Sequence, residues 1–263
     1  MDSSDSFVER RERRGVAWVH PDLAAVPLDE FWRALRPLAF AKGRGGVGTL
    51  ELSGHTLVVR PFRRGGALGA ILRDRYAGPG RARAELHLLA ALRAEGVPVV
   101  TPMAAVARRS GAFWRLRLCT ELLDGALPLP AFLAAHPAWR RVTAEAVGTV
   151  LRLAFAAGLR HPDLHVDNVL CALRGDRVRV VLVDLDRATR RPGQGIDAAW
   201  AMLARMQRYV RRHAATLPAV PTRCETMRCL RAIEPDRDRR HAAWRAIAAT
   251  VHRALRRRRL LGR

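Results

Sequence analysis

The sequence predicts an α+β protein in two lobes: a small antiparallel β lobe carrying one helix, then a larger, mainly helical lobe. Three observations predict it. Up to about residue 120, short apolar runs alternate with turns rich in Gly and Ser, and one amphipathic helix interrupts them. From about residue 129 onward, helical periodicity dominates. Within that helical part, one strand–turn–strand run from Val169 to Val183 stands apart. The 263 residues suit one such two-lobed domain. The boundaries drawn are an N-terminal extension over residues 1–30, a small lobe over 31–120 and a large lobe over 121–263.

In order, the first twenty residues are polar and charged and are expected to be loosely ordered. Leu28 to Leu38 reads as a short helix with Phe31, Trp32, Leu35 and Leu38 on one side. A glycine-rich turn, Lys42-Gly43-Arg44-Gly45-Gly46-Val47-Gly48, precedes strands at Thr49 to Leu52 and Thr56 to Arg60, which the turn Ser53-Gly54 joins. Arg81 to Glu95 is a helix with Leu86, Leu89, Ala90 and Leu92 as its buried stripe, and Gly96-Val97-Pro98 stops it. Pro102 to Ala107 and Ala112 to Thr120 are two more strands, and Glu121-Leu122-Leu123 is the crossover to the large lobe.

There, Leu129 to Ala135 is a short helix and Ala138 to Gly158 a long one, with Val142, Ala146, Val147, Val150, Leu151 and Phe155 on its apolar side. The hairpin turns at Gly175-Asp176. Ile196 to His213 is a helix with Trp200, Leu203, Met206 and Val210 inward, and the basic C-terminal region ends in the stripe Trp244, Ile247, Val251, Leu255.

The chemistry concentrates in His161-Pro162-Asp163-Leu164-His165-Val166-Asp167-Asn168 and in Asp184 after the hairpin. An acid five residues before an Asn, with a second acid after the next strand pair, is the arrangement kinases use. Asp163 would meet the substrate hydroxyl, and Asn168 and Asp184 are the hard oxygen donors that suit Mg²⁺. The plain alternative is a surface loop whose Asp and Asn serve turns.

Glycines 43, 45 and 46 lie where backbone N–H groups can approach a phosphate, although Gly-rich hairpins are more often ordinary turns, and no G-K-[ST] follows to make a Walker A loop. Arg60 ends its strand where a phosphate-touching cation belongs, and Glu85 on the next helix can pair with it. A solvent-facing strand-end Arg and an exposed Glu near a helix start are the plain readings of those two. Asp186 is open between a third metal-proximal carboxylate and a turn residue.

Formal net charge is +23, mostly Arg, with dense clusters at Arg10 to Arg14, Arg237 to Arg240 and Arg256 to Arg259. Nucleic acid, an anionic membrane and phosphate-rich ligands compete to explain it. No helix-turn-helix, zinc-finger or aromatic RNA signature is present, so no nucleic acid is expected. An anionic leaflet attracts each nearby basic residue by about 1 kcal/mol. The four cysteines form no CxxC pair and fit no zinc site, and Cys119 and Cys171 sit in apolar runs as core residues. No signal peptide is evident, so a reducing compartment is expected, and no apolar run reaches the roughly 18 residues of a membrane span.

Taken together, Gly43 onward, Arg60-Pro61-Phe62-Arg63-Arg64-Gly65-Gly66, Glu95-Gly96-Val97-Pro98-Val99, the His161 to Asn168 loop and Val183-Asp184-Leu185-Asp186-Arg187 resemble the 3-deoxy-D-manno-octulosonic acid (Kdo) kinases. These belong to the lipopolysaccharide kinases, a protein-kinase-like group. The resemblance covers residues 30–215, and neither Asp-Phe-Gly nor Ala-Pro-Glu occurs, as befits a sugar or lipid kinase.

The resemblance implies a protein-kinase-like fold and ATP-dependent phosphorylation of the Kdo 4-hydroxyl on the Kdo–lipid A precursor. The enzyme would work as a peripheral protein at the cytoplasmic side of the bacterial inner membrane, with no protein partner predicted. It implies Asp163 as catalytic base, Asn168 and Asp184 as Mg²⁺ ligands, and Arg60 with Glu85 as the nucleotide-positioning pair. Gly43, Gly45 and Gly46 would cover the ATP phosphates, and the backbone at Glu121 would meet adenine. His165 departs from one common variant of the loop, which leaves a heptose kinase open. Also open are an aminoglycoside-type or protein acceptor, a non-catalytic kinase-like binding protein and a nucleic-acid-binding module.

Overall fold

The computed structural model describes residues 7–38, 46–64, 74–193 and 197–260, with the side chains of 197, 198 and 258–260 left aside. The chain divides into two compact units, Met1–Ala94 with Val100–Leu123, and Glu95–Val99 with Asp124–Arg263.

The first unit is built on an antiparallel sheet of seven strands. They are β1 (Val8–Glu12), β2 (Gly15–Val19), β3 (Arg36–Pro37), β4 (Gly48–Leu52), β5 (His55–Pro61), β6 (Pro102–Ser110) and β7 (Phe113–Glu121), in the spatial order β1-β2-β6-β7-β5-β4-β3. Of the first twenty residues, expected to be loosely ordered, 8–12 and 15–19 are strands of this sheet. Val16, Ala17, Trp18 and Val19 are all buried, and β2 pairs with β6 from Gly15↔Arg108 to Val19↔Ala104. Four consecutive apolar residues on a strand need both faces covered, and both are. On one face Ala17 and Val19 join Leu57, Val59, Val106 and Cys119 under Leu23, Leu28 and Phe31. On the other, helix α1 (Gly80–Ala94) lies against β6 and β7, with Arg83 5.3 Å over the Trp18 ring.

Leu28 to Leu38 is not a helix. It is a 3-10 turn, Leu28–Trp32, followed by β3. Pro37 pushes Arg36 toward extended backbone, and Leu28 and Phe31 bury from the single turn. The β4–β5 hairpin closes through Ser53 and Gly54 at φ +47° and +78°, the left-handed pair that a two-residue hairpin loop demands.

The second unit holds α2 (Leu129–Ala135), α3 (Arg140–Ala156), α4 (Asp197–His213), α5 (Arg223–Ile233) and α6 (Arg237–Leu260). Two small sheets insert among them: β11-β10-β8, from β8 (Leu127–Pro128), β10 (Val169–Arg174) and β11 (Arg177–Leu182), and β12-β9, from β9 (Leu159–Arg160) and β12 (Thr189–Arg190). The face α3 buries differs at one end from the expected stripe. Thr143 and Ala144 are inside while Val142 is 45% exposed. The reason is Gly148, where a Cβ would stand 2.3 Å from the Cys229 carbonyl oxygen. That close approach of α5 rotates the buried face toward Thr143, Ala144, Val147 and Gly148.

Arg140 and Glu225 tie the same two helices. Nε and Nη2 of Arg140 donate to the two carboxylate oxygens at 2.6 and 2.8 Å. Glu225 also completes a capping box with Thr222. Burial pushes the Glu225 carboxyl up, but hydrogen bonds from Arg140 and Thr222 outweigh it and hold the group below its ordinary 4.5. A depressed carboxyl stabilises the fold above that ordinary value, and the contribution disappears as pH falls through the depressed one. Glu225→Gln is therefore expected to lose roughly 1.5–3 kcal/mol at neutral pH. Urea denaturation should show the gap from wild type closing in acid; a gap that stays constant with pH contradicts this explanation.

Candidate active site

The loop between β9 and β10 is pinned by its apolar residues. Leu164 and Val166 are buried, while Asp163 is exposed and His165 and Asp167 are partly so. Alternation of this kind holds a loop rigid with its polar side outward. The ring that organises it is His161, only 4% exposed. Its Nδ1 accepts the backbone N–H of Asp163 at 2.9 Å, and its Nε2 lies 2.7 Å from the backbone carbonyl oxygen of Asp184. A ring that accepts at Nδ1 donates from Nε2, so this geometry selects one tautomer. One imidazole thus fixes the backbones of both acids, 21 positions apart in the chain.

Asn168 is buried just ahead of β10. Its N–H donates to the His165 carbonyl at 3.0 Å, and its own carbonyl accepts from Val183 N–H at 2.9 Å. The β10–β11 ladder, which pairs Val169 with Leu182, therefore runs on by one step to Asn168 and Val183. Asp184 is the next residue, at φ +55° and exposed. Aspartate tolerates this left-handed backbone better than most residues. The Asn168 amide nitrogen makes a long 3.5 Å contact to the Asp163 carbonyl oxygen, which leaves the amide oxygen as the acceptor end. Asp163, Asn168 and Asp184 are thus joined through backbone and ring contacts. Asp186 lies in a turn closed by Ala188 N–H on the Leu185 carbonyl, beside Arg187 at φ +61°.

Two residues of this neighbourhood, Tyr209 and Met202, carried no signal in the sequence. Tyr209 of α4 donates to Asp167 Oδ2 at 2.5 Å and stacks on His165 at 4.4 Å. Burial, then Asp167, pushes the Tyr209 hydroxyl far up. Burial pulls His165 down against the opposing pull of Asp167, Asp163 and Asp184. Met202 Sδ accepts the His161 backbone N–H at 3.3 Å. On the sequence, Tyr209 and Met202 are ordinary positions on an amphipathic helix some forty residues away.

In the first unit, Arg60 Nη2 of β5 meets Glu85 Oε2 of α1 at 2.6 Å, with the Glu85 side chain 2% exposed and that of Arg60 22%. The guanidinium also lies 4.6 Å over the Phe62 ring. Gly46 has φ +61°. Gly43 and Gly45, like Gly65 and Gly66, lie outside the described residues. Glu121 ends β7 opposite Leu57, its side chain exposed and its N–H donated to the Thr101 carbonyl at 2.9 Å.

The sequence model of the lipopolysaccharide kinase (Kdo/WaaP) family matches residues 29–221. The chain belongs to that family. A 3-deoxy-D-manno-octulosonic acid kinase of Vibrio vulnificus is 30% identical over 183 residues, covering 68% of this chain and 76% of that one. One from Actinobacillus succinogenes is 32% identical over 201 residues, covering 72% and 81%. Among solved structures, WaaP in complex with acyl carrier protein superposes with a TM-score of 0.57 at 19% identity, covering 86% of this chain and 92% of that one. That likeness carries the kinase-like α+β fold.

Membership in the lipopolysaccharide kinase family implies ATP as phosphoryl donor. Mg²⁺ normally accompanies such a reaction, and the donor set suits it. Mg²⁺ takes one or two carboxylates, keeps several waters and leaves the rest to substrate phosphates. Asp184 and the Asn168 amide oxygen are hard donors of that kind. Among the described residues no cluster of three or more His, Cys, Asp or Glu could hold a metal ion by itself. Among the described residues, too, no helix is long and apolar enough to cross a membrane.

Proposed function

We propose that this lipopolysaccharide kinase transfers the γ-phosphoryl group of ATP to the 4-hydroxyl of Kdo on the Kdo–lipid A precursor. The observation that carries the reading is the single His161 ring holding the backbones of Asp163 and Asp184, in a chain about 30% identical to Kdo kinases over most of its length. The first unit then serves as the small nucleotide-binding lobe and the second as the large catalytic lobe.

Each residue has a chemical task. Phosphoryl transfer needs positioning and charge neutralisation more than covalent chemistry. Asp163, exposed at the head of its loop, accepts the proton of the attacking hydroxyl. Asp184 and Asn168 would hold Mg²⁺, which when bound neutralises charge on the ATP phosphates. Arg60, fixed by Glu85, offers a planar fork to phosphate oxygens. Gly43, Gly45 and Gly46 would cover the phosphates, and the backbone at Glu121 would meet adenine. His161 acts through the two aspartates and is a positioning residue. The net charge of +23 suits an acceptor that carries a carboxylate and phosphates, and it suits peripheral residence at the cytoplasmic side of the inner membrane.

The test is transfer of labelled γ-phosphate to Kdo–lipid A precursor, to the same lipid lacking Kdo, and to protein and nucleic acid. Label is expected in the Kdo-bearing lipid alone. Equal label in the Kdo-free lipid, or none in either, defeats the proposal.

A further inference from the structure

Helix α4 lies along the catalytic loop and touches it at two points. Met202 Sδ accepts the His161 backbone N–H, and Tyr209 stacks on His165 and bonds Asp167. These contacts are seven residues apart on α4, about 10 Å of helix at 1.5 Å per residue. On the loop, Asp163 is midway between His161 and His165. The α4 stretch that runs past Asp163 is therefore the one between Met202 and Tyr209.

That stretch carries Arg205 and Arg208, with Arg212 one turn further. At 3.6 residues per turn these three share a face whose edge is Tyr209, the residue that packs on the loop. Arg205 and Arg208 are half-buried. Other half-buried arginines of the chain find acceptors, such as Arg117 on the Phe31 carbonyl and Arg140 on Glu225. Among the described residues, Arg205 and Arg208 have no hydrogen bond and no carboxylate within ion-pair distance. The Arg208 guanidinium sits below its usual range because it is buried and because Arg205 and Arg212 repel it, and Asp163 is the one acid pulling the other way. Arg208 is thus within electrostatic reach both of Asp163 and of two further cations on its own helix face, Arg205 and Arg212. Groups of this kind are costly to hold together without an anionic ligand.

We propose that Arg205 and Arg208, assisted by Arg212, form an acceptor-side anion subsite. They bind an oxyanion carried by the acceptor, a sugar-acid carboxylate or a lipid phosphate, and so present the neighbouring hydroxyl to Asp163. Guanidinium forks match both oxyanions bidentately. The subsite rests on the function proposed above and gives it an acceptor-selecting element on α4.

The experiment compares wild type with Arg205→Gln/Arg208→Gln in the transfer assay. Three acceptors are used: intact Kdo–lipid A precursor, its Kdo methyl ester, and the precursor stripped of lipid phosphates. The double variant should raise KM for the intact acceptor at least about 10-fold, the order expected for charge-assisted hydrogen bonds, while KM for ATP moves less than about 2-fold. The acceptor on which wild type and variant become equal identifies the oxyanion. An acceptor KM within about 2-fold of wild type overturns the subsite, as does an equal rise in both KM values.

If Arg208 merely neutralises Asp163, the variant shifts the pH profile of turnover and leaves acceptor KM alone, which also overturns it. The single variants Arg205→Gln and Arg208→Gln, each with a smaller rise, keep the test open should the double variant not fold. Failure of wild type to phosphorylate any Kdo acceptor would sink the proposed function. The subsite would then be judged by calorimetry with free Kdo and with inorganic phosphate: tighter binding of either to wild type than to the variant sustains it, and equal binding of both ends it.

Discussion

Asp163→Ala is expected to lower turnover by at least about 10²–10⁴-fold, the loss typical of removing an acid–base group. The reason is local. The side chain is exposed on a loop whose shape it does not determine, since Leu164 and Val166 are buried and the Asp163 contact to His161 runs through its backbone N–H. Alanine retains that N–H, so the loop and the neighbouring Asp184 keep their positions. The defect should therefore fall on the transfer step, with ATP affinity and thermal midpoint close to wild type. Rapid-quench measurement of a single turnover separates the two. Near-normal transfer by Asp163→Ala would remove this residue from the chemistry.

Asp184→Ala is expected to abolish Mg²⁺-dependent binding of ATP, measured by calorimetry with and without the metal. One complication has a physical origin. Asp184 has φ +55°, where alanine is less at home than aspartate, so part of any defect in the alanine variant can come from backbone strain. Asp184→Asn answers this, because asparagine tolerates the same left-handed backbone and removes only the charge. Both variants should lose the metal-dependent component. Metal-dependent binding at wild-type affinity in Asp184→Asn would contradict the assignment.

Much of this was legible in the sequence because it depends on local rules. Gly175 at φ +59° makes the hairpin turn between β10 and β11 that returns the chain to Asn168, and Gly96 at φ +76° ends α1. The alternation of β5 and the apolar stripe of α1 together place Arg60 and Glu85 close enough to pair. What was not legible depends on packing between distant segments. Residues 8–19 look like a charged tail because β2 has only four buried apolar residues, and its partner β6 begins more than eighty residues later. The Leu28 to Leu38 stretch has helical spacing, but Pro37 and the edge strand β3 leave room for one turn only. His161 looked like the first letter of a motif, and its two contacts to the chain appear only when Asp184 returns beside it. Tyr209 and Met202 are far from the loop in sequence and reach it only through the packing of α4.

Phosphoryl transfer to one hydroxyl of one sugar is tested most directly by phosphorus–proton correlation NMR of the purified product. Incubation of the wild-type protein with ATP, Mg²⁺ and Kdo–lipid A precursor should give a product whose new phosphorus couples to the proton on carbon 4 of Kdo. Coupling to any other position, or to a glucosamine carbon of the lipid, would contradict it.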